Sequence, residues 1–137
     1  MSSASVTRAV EFPAGHRYHR PDWDDARNES TFGPCFRSPA HGHNYRVEVT
    51  VRGRIDPDTG MVVDLAELDR LLRERVVEPM DHAFLNDLPE FRDGWIPTTE
   101  NIARAVWERL SAALVSSELV LVRVLEDRNL WADYEGD

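Results

Sequence analysis

The stretch HGHNYRVEVTVRGRI, His41 to Ile55, decides how this chain is read. From residue 44 it alternates. Tyr45, Val47, Val49 and Val51 point one way, and Arg46, Glu48, Thr50 and Arg52 point the other, as in a strand with one buried face. His41 and His43 stand two apart at its start, so both imidazoles project to one side and can converge on one point. Gly42 keeps the space between them clear. Catalytic zinc takes neutral imidazole nitrogens from three protein ligands and keeps a fourth position open. His16, beside Gly15 at the end of an earlier strand, is the natural third ligand if the two strands pair. The bland alternative is a loop-to-strand junction with two solvated histidines.

Outward from this stretch, SVTRAVEF (5–12) alternates as a first strand, with Val6, Arg8 and Val10 on one face. DPDTG (56–60) is turn chemistry, and MVV (61–63) is expected to start a returning strand. Asp64 stands at an N-cap position before Leu65, Leu68, Leu71, Leu72 and Val76 at helical spacing, and Pro79 is expected to end that helix. A second helix starts at Thr98-Thr99, with Ile102, Ala105, Val106, Leu110 and Ala113 as its buried stripe. ELVLVRVLE (118–126) is a strand, and 129–135 pairs with it through a turn at Asp127-Arg128. The order β-β-β-α-α-β-β predicts one α+β domain over 1–137, a mainly antiparallel sheet with helices on one face. Residues 17–40 resist assignment. A connection that long is functional or disordered, and its place between metal ligands favours function.

Composition excludes several classes. The chain has 137 residues and a net charge of −9, without the basic footprint of a nucleic-acid binder. All 16 basic residues are arginine, so lysine Schiff-base chemistry is excluded and an anionic substrate must be held by arginine, backbone N–H or metal. No apolar run approaches the ~20 residues that cross a bilayer. No basic and apolar leader opens the sequence, and the single cysteine agrees with a reducing compartment, so a cytosolic protein is expected.

Four further features carry chemistry. Cys35 lies in an irregular loop, Gly33-Pro34 before it and Arg37-Ser38-Pro39 after it. It reads as a small buried apolar residue, as the fourth ligand of a closed structural site, or as a base whose pKa a metal or arginine lowers. Asp81-His82 is a helix C-terminal cap or, in a bend, a proton-relay pair. Glu126 continues the apolar face of Val120, Val122 and Val124 with a carboxylate, which needs an arginine or a ligand's N–H groups. Glu100 suits a first-turn acid at a helix N-terminus. His19 reads as a loop histidine.

Together these pieces resemble the 6-pyruvoyl-tetrahydropterin synthases and the related 6-carboxy-tetrahydropterin synthases. The matching segments run in family order: Phe12-Pro-Ala-Gly-His16, Phe32-Gly-Pro-Cys35, His41-Gly-His43-Asn44-Tyr45, Ile55 to Met61, Pro79-Met-Asp81-His82, Leu85-Asn86, Pro97 to Asn101, and Glu126. The resemblance implies a tunnelling fold: a four-stranded antiparallel sheet with two helices, sheets joined into a barrel across the subunits of a hexamer, with a trimer as the alternative, and active sites between subunits. It implies His16, His41 and His43 as Zn2+ ligands and Cys35 as general base. Asp81 and His82 become a second proton-transfer group, Glu126 the pterin anchor, and Thr98, Thr99 and Glu100 further pocket residues. The implied reaction turns 7,8-dihydroneopterin triphosphate into 6-pyruvoyl-tetrahydropterin, releasing triphosphate, with Lewis-acid help from the metal and no external redox cofactor. The second reading is the 6-carboxy reaction, which releases acetaldehyde and serves queuosine-type deazapurine synthesis. The third is a non-catalytic zinc and pterin-binding module. Phe36 to Ala40 and Pro13 depart from the family pattern. The five residues between Cys35 and His41, and the long loop before them, resemble the pyruvoyl-forming branch.

Overall fold

The computed structural model describes residues 2–137; Met1, the first residue of the expected domain, lies outside them. Strands β1 (Ser3–His16), β2 (His41–Arg54), β3 (Glu118–Asp127) and β4 (Leu130–Tyr134) form one antiparallel sheet in the order β1-β2-β3-β4. β1 and β2 pair along their whole length, from Ser3 opposite Arg54 to His16 opposite His41. The alternation dictates that register. A slip of one residue would turn Tyr45, Val47, Val49 and Val51, all fully buried, toward solvent. β1 extends beyond the expected 5–12 at both ends, and β2 starts at His41 rather than 44 and ends at Arg54, so the three histidines lie within paired strand. Gly42 allows this approach: a Cβ there would stand 3.1 Å from the Ala14 carbonyl oxygen of β1.

Five helices lie in the connections: α1 (Asp25–Phe32), α2 (Leu65–Leu72), α3 (Glu78–Met80), α4 (Pro89–Arg92) and α5 (Thr99–Ser111). Asp64 caps α2 by accepting from the Ala66 N–H at 2.9 Å, and Thr98 caps α5 by accepting from the Asn101 N–H at 3.1 Å. Leu68, Leu72, Val76, Ile102, Val106 and Leu110 are fully buried with the strand valines in one core. Each contributes roughly 1.5–3 kcal/mol of transfer free energy, opposed by the entropy of ordering it. The two main helical runs therefore cover one face of the sheet, as the amphipathic spacing predicts.

Three expectations are corrected. Residues 61–63 are not a strand. The 56–61 turn folds on itself, with the Asp56 carboxylate accepting from the N–H groups of Asp58 and Thr59 and the Asp56 N–H donating to the Met61 carbonyl. Only Val62 and Val63 then remain before the Asp64 cap, too few to pair. The strand order is thus β-β before the helices and β-β after. Secondly, the helix does not stop before Pro79. A π turn over Arg73–Val77 widens the backbone ahead of α3, and the helix ends at Met80. Thirdly, the 17–40 connection contains α1 and a 3-10 turn, Gly33–Phe36. Helix α1 carries little apolar periodicity. It is held by the Asp24 cap and by fully buried Asn28, whose amide accepts from the Arg20 N–H and donates to the Arg20 and Asp24 carbonyls.

Candidate metal centre and active site

The β1–β2 register that buries the valines carries His16, His41 and His43 onto the same helix-facing side of the sheet. Ring centroids lie 4.5 Å apart for His16 and His41, 5.2 Å for His16 and His43, and 5.1 Å for His41 and His43. β3 supplies a fourth group. A register irregularity between Leu125 and Asp127 falls at Glu126, a bulge of the kind that re-aims a side chain. The Glu126 carboxylate stands 3.3 Å from His16 Nε2 and 3.0 Å from His43 Nε2. One donor atom from each of His16, His41, His43 and Glu126 lies within 4.8 Å of the others.

Hydrogen bonding fixes what His16 offers. Its Nδ1 is 2.7 Å from the Pro97 carbonyl oxygen, which can only accept, so Nδ1 carries the proton. The Tyr45 hydroxyl oxygen, 3.1 Å from Nδ1, accepts from the same N–H. Nε2 is then a bare lone pair. Burial, more than the neighbouring histidines, lowers the His16 pKa to about 4, and burial lowers that of His41 as well. At neutral pH the imidazole of His16 is uncharged. His16 Nε2 and His43 Nε2 are buried without a hydrogen-bond partner. The Glu126 contacts are close in distance yet carry no proton on the His16 side, so lone pairs face a carboxylate across a gap of about 3 Å. That arrangement is repulsive unless a cation sits between. A tetrahedral zinc with bonds of ~2.0–2.1 Å separates its donors by roughly 3.3 Å, which this spacing suits. The donor set fits such an ion.

Cys35 is not part of this donor cluster. Its carbonyl accepts from the Tyr18 N–H at 2.9 Å, which ties the 3-10 turn to the end of β1. Burial first, then the Glu126 carboxylate, pushes its thiol above the ordinary range. In the chain alone no arginine lowers it.

Asp81 and His82 form a pair, His82 Nδ1 to Asp81 Oδ1 at 2.7 Å. The bend they need comes from His82 at φ 59°, an uncommon left-handed conformation held by the His82 N–H donating to the Pro13 carbonyl at 2.7 Å. Gly15 bridges Phe84 in parallel, so this segment lies along the outer edge of β1. The His82 side chain is 79% exposed. It borders a groove lined also by Pro13, Ala14, Gly15, Gly42, His43 and Asn44. The pair therefore stands at the β1 edge outside the four-donor cluster, in a groove that His43 also lines. Within one chain the structure does not bring it to Cys35.

Thr98 is occupied as the α5 cap, Thr99 is buried, and Glu100 is exposed in the first turn. The sequence reading missed two residues. Tyr18 packs edge-on against His16 at 5.2 Å and against Phe32 at 5.8 Å. Its hydroxyl pKa is raised by burial, then by the charges of Glu126, Cys35 and Glu100. Tyr45 hydrogen-bonds His16. Tyr45 stands two residues beyond His43 on β2, where alternation could have found it, whereas Tyr18 lies past the end of β1 and no periodicity marks it.

A model of the 6-pyruvoyl tetrahydropterin synthase family matches residues 5–137. The chain is 42% identical over 135 residues to the 6-pyruvoyl tetrahydrobiopterin synthase of Homo sapiens, covering 98% of this chain and 92% of that protein. It is 38% identical over 93 residues to a putative 6-carboxy-5,6,7,8-tetrahydropterin synthase of Archaeoglobus fulgidus, covering 68% of this chain and 73% of that one. The solved structure of Caenorhabditis elegans 6-pyruvoyl tetrahydropterin synthase superposes with a TM-score of 0.93 at 36% identity, covering 100% of this chain and 98% of that chain.

Proposed function

The chain belongs to the 6-pyruvoyl tetrahydropterin synthase family and is a lyase-type enzyme, and from that premise we propose that it converts 7,8-dihydroneopterin triphosphate to 6-pyruvoyl-tetrahydropterin with elimination of triphosphate. The observation that carries the reading is the convergence of buried, unpartnered imidazole nitrogens with the Glu126 carboxylate on one point. His16, His41 and His43 would hold Zn2+ there. Bound zinc would supply Lewis-acid stabilisation to the oxygens of the substrate's hydroxylated side chain.

The remaining work belongs to side chains. Pro97 and Tyr45 lock the His16 ring, keeping its lone pair aimed inward. Cys35 acts as the general base at the side-chain carbon next to the ring, from a loop pinned to β1 by Tyr18. Glu126 keeps one oxygen at the histidines and has a second to accept from the pterin's N–H groups. The family resemblance gives Thr98, Thr99 and Glu100, at the N-terminus of α5 next to Pro97, as further pterin-pocket residues. Asp81 and His82 form the second proton relay. Outside their own chain's donor cluster and with His82 exposed, they complete the site of a neighbouring subunit. The outer edge of β4, and that of β1 ahead of the Pro13–Gly15 contacts with the 82–84 segment, are unpaired in the sheet order, and Leu130 and Trp131 on β4 are 50% and 47% exposed. Joining such edges into a barrel, as a hexamer, would remove them. We place the enzyme in the cytosol; no helix among the described residues is long and apolar enough to cross a membrane.

The 6-carboxy reaction is the second reading, supported by the likeness to the Archaeoglobus fulgidus protein. The human relative matches over more of the chain and favours the pyruvoyl product. Anaerobic turnover of 7,8-dihydroneopterin triphosphate by zinc-loaded protein, with products read by mass spectrometry, separates them. The expected result is a 6-pyruvoyl product without acetaldehyde. A 6-carboxy product with acetaldehyde moves the chain to the other branch, and no turnover overturns the assignment.

A further inference from the structure

Arg17 follows the metal-facing His16 directly, and its contacts reach the turn that carries Cys35. Its backbone is clamped by Asn86, whose side-chain amide accepts from the Arg17 N–H at 2.9 Å and donates to the Arg17 carbonyl at 2.7 Å. On the other side of His16, the Gly15 N–H donates to the Ala83 carbonyl at 2.9 Å. The segment 83–86 therefore holds the main chain both before and after the metal-facing residue. The Arg17 side chain runs to the 3-10 turn Gly33–Phe36. Its Nε donates to the Phe36 carbonyl at 2.6 Å, and its guanidinium lies over the Phe36 ring at 4.4 Å. One residue on, the Tyr18 N–H donates to the Cys35 carbonyl at 2.9 Å. The two residues after His16 thus hold the two successive carbonyls of Cys35 and Phe36.

The turn needs that hold. A 3-10 turn has poorer hydrogen-bond geometry than an α-helix, and of these four residues only Phe36 is buried. A further ring contact comes from the same run, with His19 5.6 Å from Phe36. A guanidinium can stack on a ring and donate from Nε in one fixed geometry, which the flexible point charge of a lysine cannot reproduce. Burial and Glu126, rather than an arginine, set the proton affinity of the thiol, so Arg17 acts on placement. We propose that Arg17 is a positioning residue: it ties the Asn86-clamped end of β1 to the Phe36 carbonyl and so fixes where the Cys35 thiol stands relative to the metal centre. The inference rests on the role of Cys35 as base proposed above. Proton transfer tolerates little displacement; a shift of about 1 Å can cost on the order of 100-fold.

The test compares zinc-loaded wild type, Arg17→Lys and Arg17→Gln. Mass spectrometry follows exchange of the Tyr18 and Arg37 amide hydrogens, which donate to the Cys35 and Pro34 carbonyls. Kinetics give kcat and KM for the pterin triphosphate and the isotope effect of deuterium on the side-chain carbon next to the ring. Zinc per chain and melting temperature are measured on each. The expected result in both variants is at least tenfold faster exchange, a kcat at least tenfold lower, a KM within threefold of wild type and a larger isotope effect, with zinc content unchanged. Arg17→Lys, the gentler change, carries the same expectation if Arg17→Gln does not fold. Unchanged exchange, or a kcat within twofold of wild type, overturns the assignment. So does restoration by Arg17→Lys, because charge alone then suffices, and so does a loss of kcat that follows loss of zinc. If the wild type shows no pterin turnover, faster exchange in the variants upholds the clamp and defeats the substrate reading instead.

Discussion

His16 shows how one residue is set up by its surroundings. Its Nδ1 proton goes to Pro97, so burial keeps the ring neutral and leaves Nε2 bare among its neighbours. The cost appears as pH dependence. In the metal-free chain His16 binds a proton only near pH 4, whereas in the unfolded chain it does so near its ordinary 6.5. Because the unfolded state binds more protons in that window, the neutral ring's contribution is full above about pH 6.5 and is lost as pH falls toward 4. From His16 alone this amounts to a loss on the order of 3 kcal/mol. Urea unfolding of metal-free wild type and His16→Asn between pH 7.5 and 4.5 should show a steeper acid-side decline in the wild type. Parallel declines would contradict the tautomer and burial described here. Cys35 is set the opposite way: burial and Glu126 hold its proton on, so its role as a base depends on positive charge nearby.

At the scale of elements, the strands were legible and the long connection was not. The alternation of β2 states which face is buried, and pairing with β1 follows because three histidines at strand ends need each other. Glu126 was legible for the same reason, as a carboxylate ending a row of valines on β3. The N-caps at Asp64 and Thr98 were plain from residue type and position. Helix α1 was hidden because DARNESTF buries only Asn28 and its stability comes from polar contacts that leave no hydrophobic period. The expected strand at 61–63 fails for a related reason: the Asp56 turn consumes the residues a hairpin would need. Tyr18 was obscured by the same boundary. It lies two residues past His16, where β1 ends, inside the connection that resisted assignment.

At the scale of the whole molecule, the separation of the Asp81–His82 pair from the donor cluster has a consequence. His16, His41, His43 and Glu126 converge within the chain, whereas the pair lies outside that cluster with His82 exposed. If neighbouring subunits complete each other's sites, Cys35→Ala and His82→Ala proteins, each inactive alone, should regain activity when unfolded together and reassembled. Random mixing of equal amounts leaves a fraction of sites intact, so recovery should approach about a quarter of wild-type activity, and no recovery would mean that each chain uses its own pair. The central claim is an open metal site made of imidazole and oxygen donors with Cys35 left free as the base. Zinc K-edge X-ray absorption on the zinc-loaded enzyme tests it most directly. The account predicts a first shell of nitrogen and oxygen at ~2.0–2.1 Å with no sulfur, whereas a sulfur scatterer at ~2.3 Å would make Cys35 a ligand and contradict it.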